Sequence, residues 1–449
     1  MKLVARSLRP AGTEDGVNAQ IATRPAPMPA PRVAVKPEAD STAVAALQVQ
    51  TSPGSAPTDT ARTGRGGLAI LTELSELSHR ENVSDVQIQA GKLIYLNRAG
   101  STKAYEPFGR LSFEDVYQML EVLYRARTVF SGFDSGTEKD DLRERLMAER
   151  KLDFACEGKD PNSPLRGRFR VQAHFSHAGL GMTLRVLRNK LAQLEQCGLP
   201  PEVLDSLRQK VVKKQGLGLV VGPTGSGKTT TLSALIDWVR RNHHKHIVTV
   251  EDPIEYCYPE TADGPTGPRP SPSLVTQQEV GHHVRSFDQG LNDALRKKPD
   301  IILVGEIRTA ETLKTALEAA ETGHFILSTL HTRGAGKTLG RMRQMFNLEQ
   351  ARSVLQQYAD VGSFILSQGL MPDTTGKYVL CCEYFSIQEI EDRNAIRKYV
   401  DGSFQDVEER LNKPYNRRWN NELKALLAAR RISQETFDQF YQVTGLENK

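Results

Sequence analysis

The residues best suited to chemistry lie in a glycine-rich segment between an apolar run and a helical pattern. The segment reads Gly222-Pro-Thr-Gly-Ser-Gly-Lys-Thr-Thr230 and follows the apolar run 217–221. It matches the pattern G-x-x-x-x-G-K-[ST] in a strand–loop–helix context. Glycines let backbone N–H groups curve around phosphate oxygens, and the N-terminus of the following helix adds partial positive charge. The segment therefore predicts a site for nucleotide phosphates.

Individual roles follow from the chemistry of this loop. We expect Lys228 to neutralise the β- and γ-phosphates and Thr229 to place its hydroxyl on Mg²⁺. A glycine-rich turn before an ordinary helix is the alternative, and the strand–loop–helix context disfavours it. The expected nucleotide-binding residues are Gly222, Pro223, Thr224, Gly225, Ser226, Gly227, Lys228, Thr229 and Thr230.

Acidic residues follow two further apolar runs. The run 247–250 ends in Glu251-Asp-Pro-Ile-Glu255, and 300–306 is predicted as a buried strand from Asp300 to Glu306. A strand rises about 3.3 Å per residue, so its two ends lie about 20 Å apart. In a parallel sheet, Glu306 then lies beside the phosphate loop and Asp300 at the far end. We predict a Mg²⁺ or water role for Glu306 and a structural role for Asp300, the alternative for Glu306 being a surface carboxylate.

A fourth predicted strand is flanked by two histidines, His324 and His331. By the same length argument, His331 is expected near the nucleotide and His324 away from it. A satisfied structural histidine is the alternative at each position. Arg333 follows on a loop from which it could sense the γ-phosphate.

Three arginines alternate along a predicted strand of the N-terminal half. Because side chains alternate along a strand, Arg166, Arg168 and Arg170 are expected on one face. Arg185 belongs to a neighbouring predicted strand. A row of guanidinium groups suits an anionic partner, and a solvated face with surface ion pairs is the alternative.

Composition limits the class of protein. The chain has 449 residues, of which 39% are hydrophobic and 25% charged, as in soluble globular proteins. The net charge of +5 is too small to indicate a nucleic-acid ligand by itself. No apolar run approaches the roughly 20 residues of a membrane span, and the start lacks the apolar segment of a secretory signal. The five cysteines form no C-x-x-C pair and indicate neither disulfides nor a zinc site.

Composition and periodicity also predict the domain plan. Alternating helices and strands from residue 216 predict a parallel sheet covered by helices, hence an α/β core. The Pro-rich stretch 259–273 is predicted as a loop. The expected regions are a disordered Pro/Ala-rich tail (1–66), a small α+β domain (67–190), a polar helical linker (191–215), the core (216–386) and a helical region (387–449).

Four blocks together resemble the ATPases of type II and type IV secretion systems and pilus motors. They resemble, in order, that family's phosphate loop, aspartate box, Walker B segment and histidine box. Ser84-Asp85-Val86 and Phe169-Arg170-Val171 are also similar to the family's first domain. The resemblance covers about 67–400, outside of which lies the tail. The blocks are 222–230, 249–256, 300–308 and 323–332.

The resemblance implies a RecA-like P-loop core preceded by a PAS-like domain, with ATP and Mg²⁺ held between the two. It implies ATP hydrolysis by a cytoplasmic homo-hexamer peripheral to the bacterial inner membrane. The partners would be inner-membrane components of a secretion or pilus machine. No membrane span is expected in the chain, and nucleic acid is not expected as a direct ligand.

The resemblance also assigns roles by motif position. Glu306 resembles the catalytic glutamate, and Glu255 resembles the second acidic residue that helps to place water or Mg²⁺. Arg170 and Arg185 resemble arginines that complete the site. One departure is Gln215, where retraction motors often carry an arginine. The implied catalytic residues are Glu306, Glu255, Lys228, His331, Arg170 and Arg185, and the implied metal-binding residues are Thr229, Glu306 and Glu255.

The branch of the family rests on a shorter block. The segment 286–299 resembles the DotB-like type IV secretion and conjugative-transfer branch, and the tetracysteine motif of extension motors is absent. A pilus retraction motor is the alternative. Rival functions are a DNA translocase or helicase, a nucleotide-sensing scaffold without hydrolysis, and a small-molecule P-loop kinase.

Overall fold

The computed structural model describes most of the chain after residue 65. The described residues are 66–81, 83–98, 101–127, 138–158, 165–187, 191–264, 267–402 and 404–443. The predicted tail 1–66 lies outside them except for its last residue. No described helix is long and apolar enough to cross a membrane.

An antiparallel sheet forms the N-terminal part of the described structure. Its strands lie in the order β3-β2-β1-β6-β5-β4. Leucines at helical spacing bury one side of α1 against the sheet, together with the apolar side of α2. This part consists of α1 (Gly67–Arg80), β1 (Asp85–Gln89), β2 (Ile94–Arg98), β3 (Ser101–Tyr105), α2 (Phe113–Arg125), α3 (Glu138–Glu149), β4 (Lys151–Gly158), β5 (Gly167–Ser176) and β6 (Gly179–Leu187).

A seven-stranded sheet forms the core, in the order β11-β8-β12-β13-β7-β14-β15. All neighbouring pairs are parallel except the last, β14 with β15, which is an antiparallel hairpin. The predicted helix-covered parallel sheet is therefore confirmed, with one antiparallel strand added at its edge. The strands of this sheet are β7 (Gly216–Val221), β8 (His246–Glu251), β11 (Leu274–Glu279), β12 (Ile301–Val304), β13 (Phe325–Leu330), β14 (Gly362–Pro372) and β15 (Tyr378–Ser386). Strands β9 (Thr261–Gly264) and β10 (Gly267–Pro270) form a separate two-stranded sheet.

Helices cover both faces of this sheet. On one face α4 and α5 pack against β7 and its neighbours, and on the other α6 to α10 enclose a second apolar layer. The last two helices pack on the hairpin of β14 and β15. The helices are α4 (Pro201–Val211), α5 (Lys228–Asn242), α6 (Phe287–Leu295), α7 (Ala310–Glu321), α8 (Ala335–Gln344), α9 (Leu348–Val361), α10 (Ile390–Lys398), α11 (Gln405–Leu411), α12 (Trp419–Ala428) and α13 (Gln434–Val443).

The segment 191–215 is more than a polar connector. Pro201 occupies the first turn of α4, where its missing N–H leaves no helical hydrogen bond unmade. Val203, Leu207 and Val211 are buried against α5 and the sheet. The segment is therefore bound to the core through its apolar side.

The prediction of a loop over 259–273 is wrong in part, because β9 and β10 pair there as an antiparallel hairpin. Next to this hairpin, the N–H of Ser271 donates a hydrogen bond to Glu260 O at 2.8 Å. Pro268 and Pro270 occupy the alternate positions, whose nitrogens face away from the partner strand. Prolines two residues apart are thus compatible with a strand that has one open edge.

Candidate active site

The carboxyl ends of the core strands bring the predicted residues together at one edge. Strand β13 lies between β7 and β12, with Val221 opposite Leu330 and Val304 opposite Ser328. The phosphate loop, the segment of Glu306 and His331 therefore leave the sheet side by side. Strand β12 ends at Val304, so Glu306 lies just beyond the strand rather than within it.

Gln368 of β14 contacts the phosphate loop and helps to fix its backbone. Gly222, Gly225 and Gly227 have φ angles of 151°, 78° and 86°, a region that side chains with a Cβ rarely adopt. A Cβ on Gly222 would lie 2.3 Å from Gln368 O. The Gln368 amide also donates to Ser226 O at 2.8 Å. Sequence reasoning missed Gln368, since no motif marks it.

Lys228 is buried at the start of α5. Its Nζ donates to Gly222 O at 2.9 Å and to Pro223 O at 3.0 Å. Burial lowers the pKa of this ammonium, while the nearby Glu306 and Glu255 carboxylates act to raise it. The ammonium thus lies within electrostatic range of both predicted carboxylates, while its hydrogen bonds go to the loop carbonyls.

Glu255 reaches the loop from the segment after β8. The Thr229 hydroxyl lies close to its carboxylate, and Tyr256 Oη lies 3.2 Å from the hydroxyl of Thr230. Burial raises the pKa of Glu255, and Arg170 followed by Arg185 acts to lower it. The second acidic residue is therefore adjacent to the hydroxyl predicted for Mg²⁺.

Glu306 is held by two basic side chains. Arg308 Nε donates to its Oε2 at 2.8 Å, and His331 Nε2 lies 3.4 Å from its Oε1. The Glu306 side chain keeps 19% of its surface exposed. Arg308 also lies 3.6 Å from Asp252 Oδ2. Arg308 links the two acidic segments, a role that sequence reasoning did not assign, although Arg308 closes the third motif block.

The two predicted arginines face the site from the N-terminal sheet. Arg170 and Arg185 are cross-strand partners on β5 and β6. Arg170 binds Asp153 through two hydrogen bonds of 3.0 and 2.8 Å, and Arg185 binds Asp85 at 2.8 Å. Both guanidinium groups therefore lie near Glu255 while engaged with carboxylates of their own sheet.

Other sequence candidates lie elsewhere. Asp300 accepts from the backbone of His246 at 2.9 Å and from Lys245 Nζ at 3.0 Å, at the opposite edge of the sheet. His324 Nδ1 lies 3.1 Å from Ala319 O at that same edge. Arg166 precedes β5 and lies 3.7 Å from Glu76. Of the alternating arginines, only Arg168 and Arg170 lie within the strand.

A cavity of about 500 Å³ opens beside the tip of the loop. Thr224 and Gly225 form one wall, and Arg333 lies at its rim. Trp419 and Phe440, from α12 and α13, contribute aromatic surface. The cavity adjoins β14, on the side of β7 away from β12 and Glu306.

The oxygen atoms at the loop suit Mg²⁺ bound together with phosphates. In the described residues, no cluster of three or more His, Cys, Asp or Glu side chains is arranged to hold a metal by itself. Mg²⁺ prefers one or two carboxylates plus substrate phosphates and water over an all-protein cage. The Thr229 hydroxyl, which lies close to the Glu255 carboxylate, provides that kind of site.

Most of the chain matches the model of one protein family. The model for "Type II/IV secretion system protein" matches residues 103–412. The chain belongs to this family. The match includes the phosphate loop, both acidic segments and the arginine-bearing strands. It confirms the resemblance inferred from the four motif blocks.

Similar proteins include ATPases of type IV pili. The chain is 32% identical over 328 residues to the type IV pilus retraction ATPase PilT of Pseudomonas aeruginosa, which covers 73% of this chain and 85% of that protein. It is 41% identical over 237 residues to the uncharacterised protein YggR of Escherichia coli, covering 52% of this chain. That alignment spans 66% of the E. coli protein, and one with a Neisseria gonorrhoeae twitching motility protein spans 64% of that relative.

Solved structures share the fold. The pilus retraction motor PilT with bound ADP superimposes with a TM-score of 0.67 at 31% identity, covering 82% of this chain and 95% of that one. The Legionella pneumophila ATPase DotB also gives 0.67, at 25% identity, covering 86% of this chain and 98% of that one. These likenesses support the RecA-like core and nucleotide binding by this family.

A test of the loop is the substitution Gly222→Ala. The new Cβ would collide with Gln368 O and would require a strained φ, so the loop must shift. We expect the affinity for a fluorescent ATP analogue to fall at least about tenfold with an unchanged circular dichroism spectrum. The control is Gly66→Ala, where a Cβ has no neighbour within 4 Å and φ is −66°. Wild-type affinity in Gly222→Ala would contradict the account of the loop.

Proposed function

We propose that the protein hydrolyses ATP to ADP and phosphate to drive a type IV machine. One observation carries this proposal: the phosphate loop with Lys228 and the segment of Glu306 leave the same edge of the sheet, and the Glu306 and Glu255 carboxylates lie within electrostatic range of the Lys228 ammonium. A non-hydrolysing nucleotide sensor does not need two carboxylates there. Phosphoryl transfer to water needs both charge neutralisation and a group that orients the water.

In the proposed mechanism, the chain binds the phosphates and positions water. The loop amides and Lys228 hold the β- and γ-phosphates. Mg²⁺, when bound with Thr229 and with Glu255 and Glu306 nearby, would neutralise charge on those phosphates. The exposed part of the Glu306 carboxylate accepts a hydrogen bond from the attacking water and orients it. Arg308 and His331 fix the direction of that carboxylate.

Arg170 and Arg185 are proposed to stabilise charge on the transferring phosphoryl group. An arginine in such a role accelerates phosphoryl transfer by roughly 10³–10⁵. Their hydrogen bonds with Asp153 and Asp85 must be exchanged before they can reach it. A rotation of the N-terminal sheet against the core would make that exchange and would convert hydrolysis into movement.

The working state we propose is a homo-hexameric ring in the cytoplasm, attached to inner-membrane components of its machine. Its support is family membership, because the family resemblance implies a nucleotide held between the two domains of one subunit and reached by the neighbouring subunit. Two machines remain candidates. The motif block 286–299 and the DotB structure, matched over 98% of its length, favour type IV secretion. The PilT relative, matched over 85% of its length, favours pilus retraction.

The catalytic assignment is tested with Lys228→Ala and Glu306→Gln. Lys228→Ala removes the phosphate-binding cation, so we expect ATP binding and hydrolysis to be lost. Glu306→Gln keeps the shape but cannot accept the water's hydrogen bond equally well, so binding persists while phosphate release falls by about 10² or more. The control is Glu311→Gln, at an exposed position of α7. Full turnover in Glu306→Gln refutes the assignment.

A shared site makes specific activity depend on protein concentration. We expect phosphate release per subunit to rise steeply as rings assemble, in parallel with hexamer mass measured by light scattering. Arg170→Ala should lower the plateau without preventing assembly. Specific activity that is constant from monomer upwards would contradict a site completed by the neighbour.

The two machines are separated by deleting the gene in its own bacterium. Loss of a type IV secretion motor is expected to abolish conjugative or effector transfer and leave surface pili unchanged. Loss of a retraction motor is expected to increase surface pili and abolish twitching. Complementation with Glu306→Gln should fail in the assay that reports the true machine.

A further inference from the structure

Arg168 is the one arginine of its strand that is almost wholly buried. Its side chain is 2% exposed and runs from β5 to the segment after β8. Nη1 donates to Glu255 O at 2.9 Å and Nη2 to Ile254 O at 2.8 Å. Through Arg168, the N-terminal sheet is thus hydrogen-bonded to two consecutive backbone carbonyls of the core.

The same backbone is held from the core side by Glu279. This residue ends β11 and is 2% exposed, and its Oε2 accepts from Ile254 N at 3.0 Å. Burial raises the pKa of Glu279, and Arg168 acts to lower it. Ile254 is therefore fixed through both its N–H and its C=O by two buried groups of opposite charge.

These hydrogen bonds bear directly on the proposed site, because Glu255 follows Ile254. The Glu255 carbonyl is bound by Arg168, while its carboxylate lies close to the Thr229 hydroxyl. A buried guanidinium is costly unless its hydrogen bonds are well made. The buried Arg168 guanidinium is compatible with few arrangements of the two carbonyls, so it restricts where the Glu255 carboxylate can lie.

We propose that Arg168 is a positioning residue, through which the N-terminal domain sets the place of the Glu255 carboxylate beside the phosphates and Mg²⁺. The inference rests on the proposed ATPase function. Movement of β5 carries Arg168 with it, and the carbonyls of Ile254 and Glu255 follow. Rotation of the N-terminal sheet would thereby change the position of Glu255 at the Mg²⁺ site. The same rotation would bring Arg170 and Arg185 to the transferring phosphoryl group.

The test uses the full chain with Arg168→Gln and Arg168→Lys. The control is Arg98→Gln on β2, which lies three strands from β5 in the same sheet. The exposed guanidinium of Arg98 pairs with Glu81 at the end of α1. Two measurements are made for each: the Mg²⁺ dependence of phosphate release, and the gain in affinity for a fluorescent non-hydrolysable ATP analogue on adding Mg²⁺. Thermal melting and analogue binding in EDTA report folding and an intact loop.

We expect Arg168→Gln to raise the half-saturating Mg²⁺ concentration by about 10-fold, as loss of an outer-shell partner does at metal sites. Most of the Mg²⁺-dependent gain in affinity should be lost, with binding in EDTA unchanged. Arg168→Lys, which keeps the charge but cannot span both carbonyls as a fork, should be intermediate. It also serves as the informative variant if Arg168→Gln does not fold.

Folded Arg168 variants with wild-type Mg²⁺ dependence would overturn the inference. A lower rate at unchanged Mg²⁺ dependence would also overturn it, since that indicates a merely structural contact. If the wild type released no phosphate, the proposed function would fail, while the Mg²⁺-dependent binding measurement would still decide the role of Arg168.

Discussion

The structure depends on a convergence of opposite charges at the carboxyl edge of one parallel sheet. Lys228 begins α5 directly after the phosphate loop, and it lies at the same sheet edge as Glu306 and Glu255, within electrostatic range of both carboxylates. A partly buried ammonium is unfavourable alone, and two carboxylates compensate it. The same arrangement leaves a concave amide loop beside a cation and two anions. Phosphates with Mg²⁺ fit this arrangement better than a neutral ligand does.

The N-terminal sheet contributes arginines at two depths, and depth separates their roles. Arg168 is enclosed and bound to backbone carbonyls, so it transmits position. Arg170 and Arg185 keep contact with solvent and are bound to Asp153 and Asp85, so they can exchange partners. A single strand thus provides a fixed contact and, two residues later, a movable one. Under the proposed rotation, such a pairing would let the N-terminal sheet both shape the site and complete its charge.

Sequence reasoning succeeded where a local pattern dictates structure. The helix after the phosphate loop follows from the strand–loop–helix motif, and the edge shared by Lys228 and Glu306 follows from strand length and parallel pairing. The failures are non-local. Strand β11 carries no strong apolar alternation and is defined by its pairing with β8, while β9 and β10 were obscured by prolines. Alternation placed Arg168 on a face but could not tell that it alone is enclosed, because the enclosing carbonyls come from a segment 86 residues away.

The central claim is that one γ-phosphate lies between Lys228 and Glu306. The most direct measurement is a structure of the full chain with Mg²⁺ and a non-hydrolysable ATP analogue. The account predicts Lys228 Nζ on the γ-phosphate, the Thr229 hydroxyl on Mg²⁺ and a water between that phosphate and the Glu306 carboxylate. An analogue bound away from the loop, or a γ-phosphate that reaches Lys228 but faces away from Glu306, would contradict it.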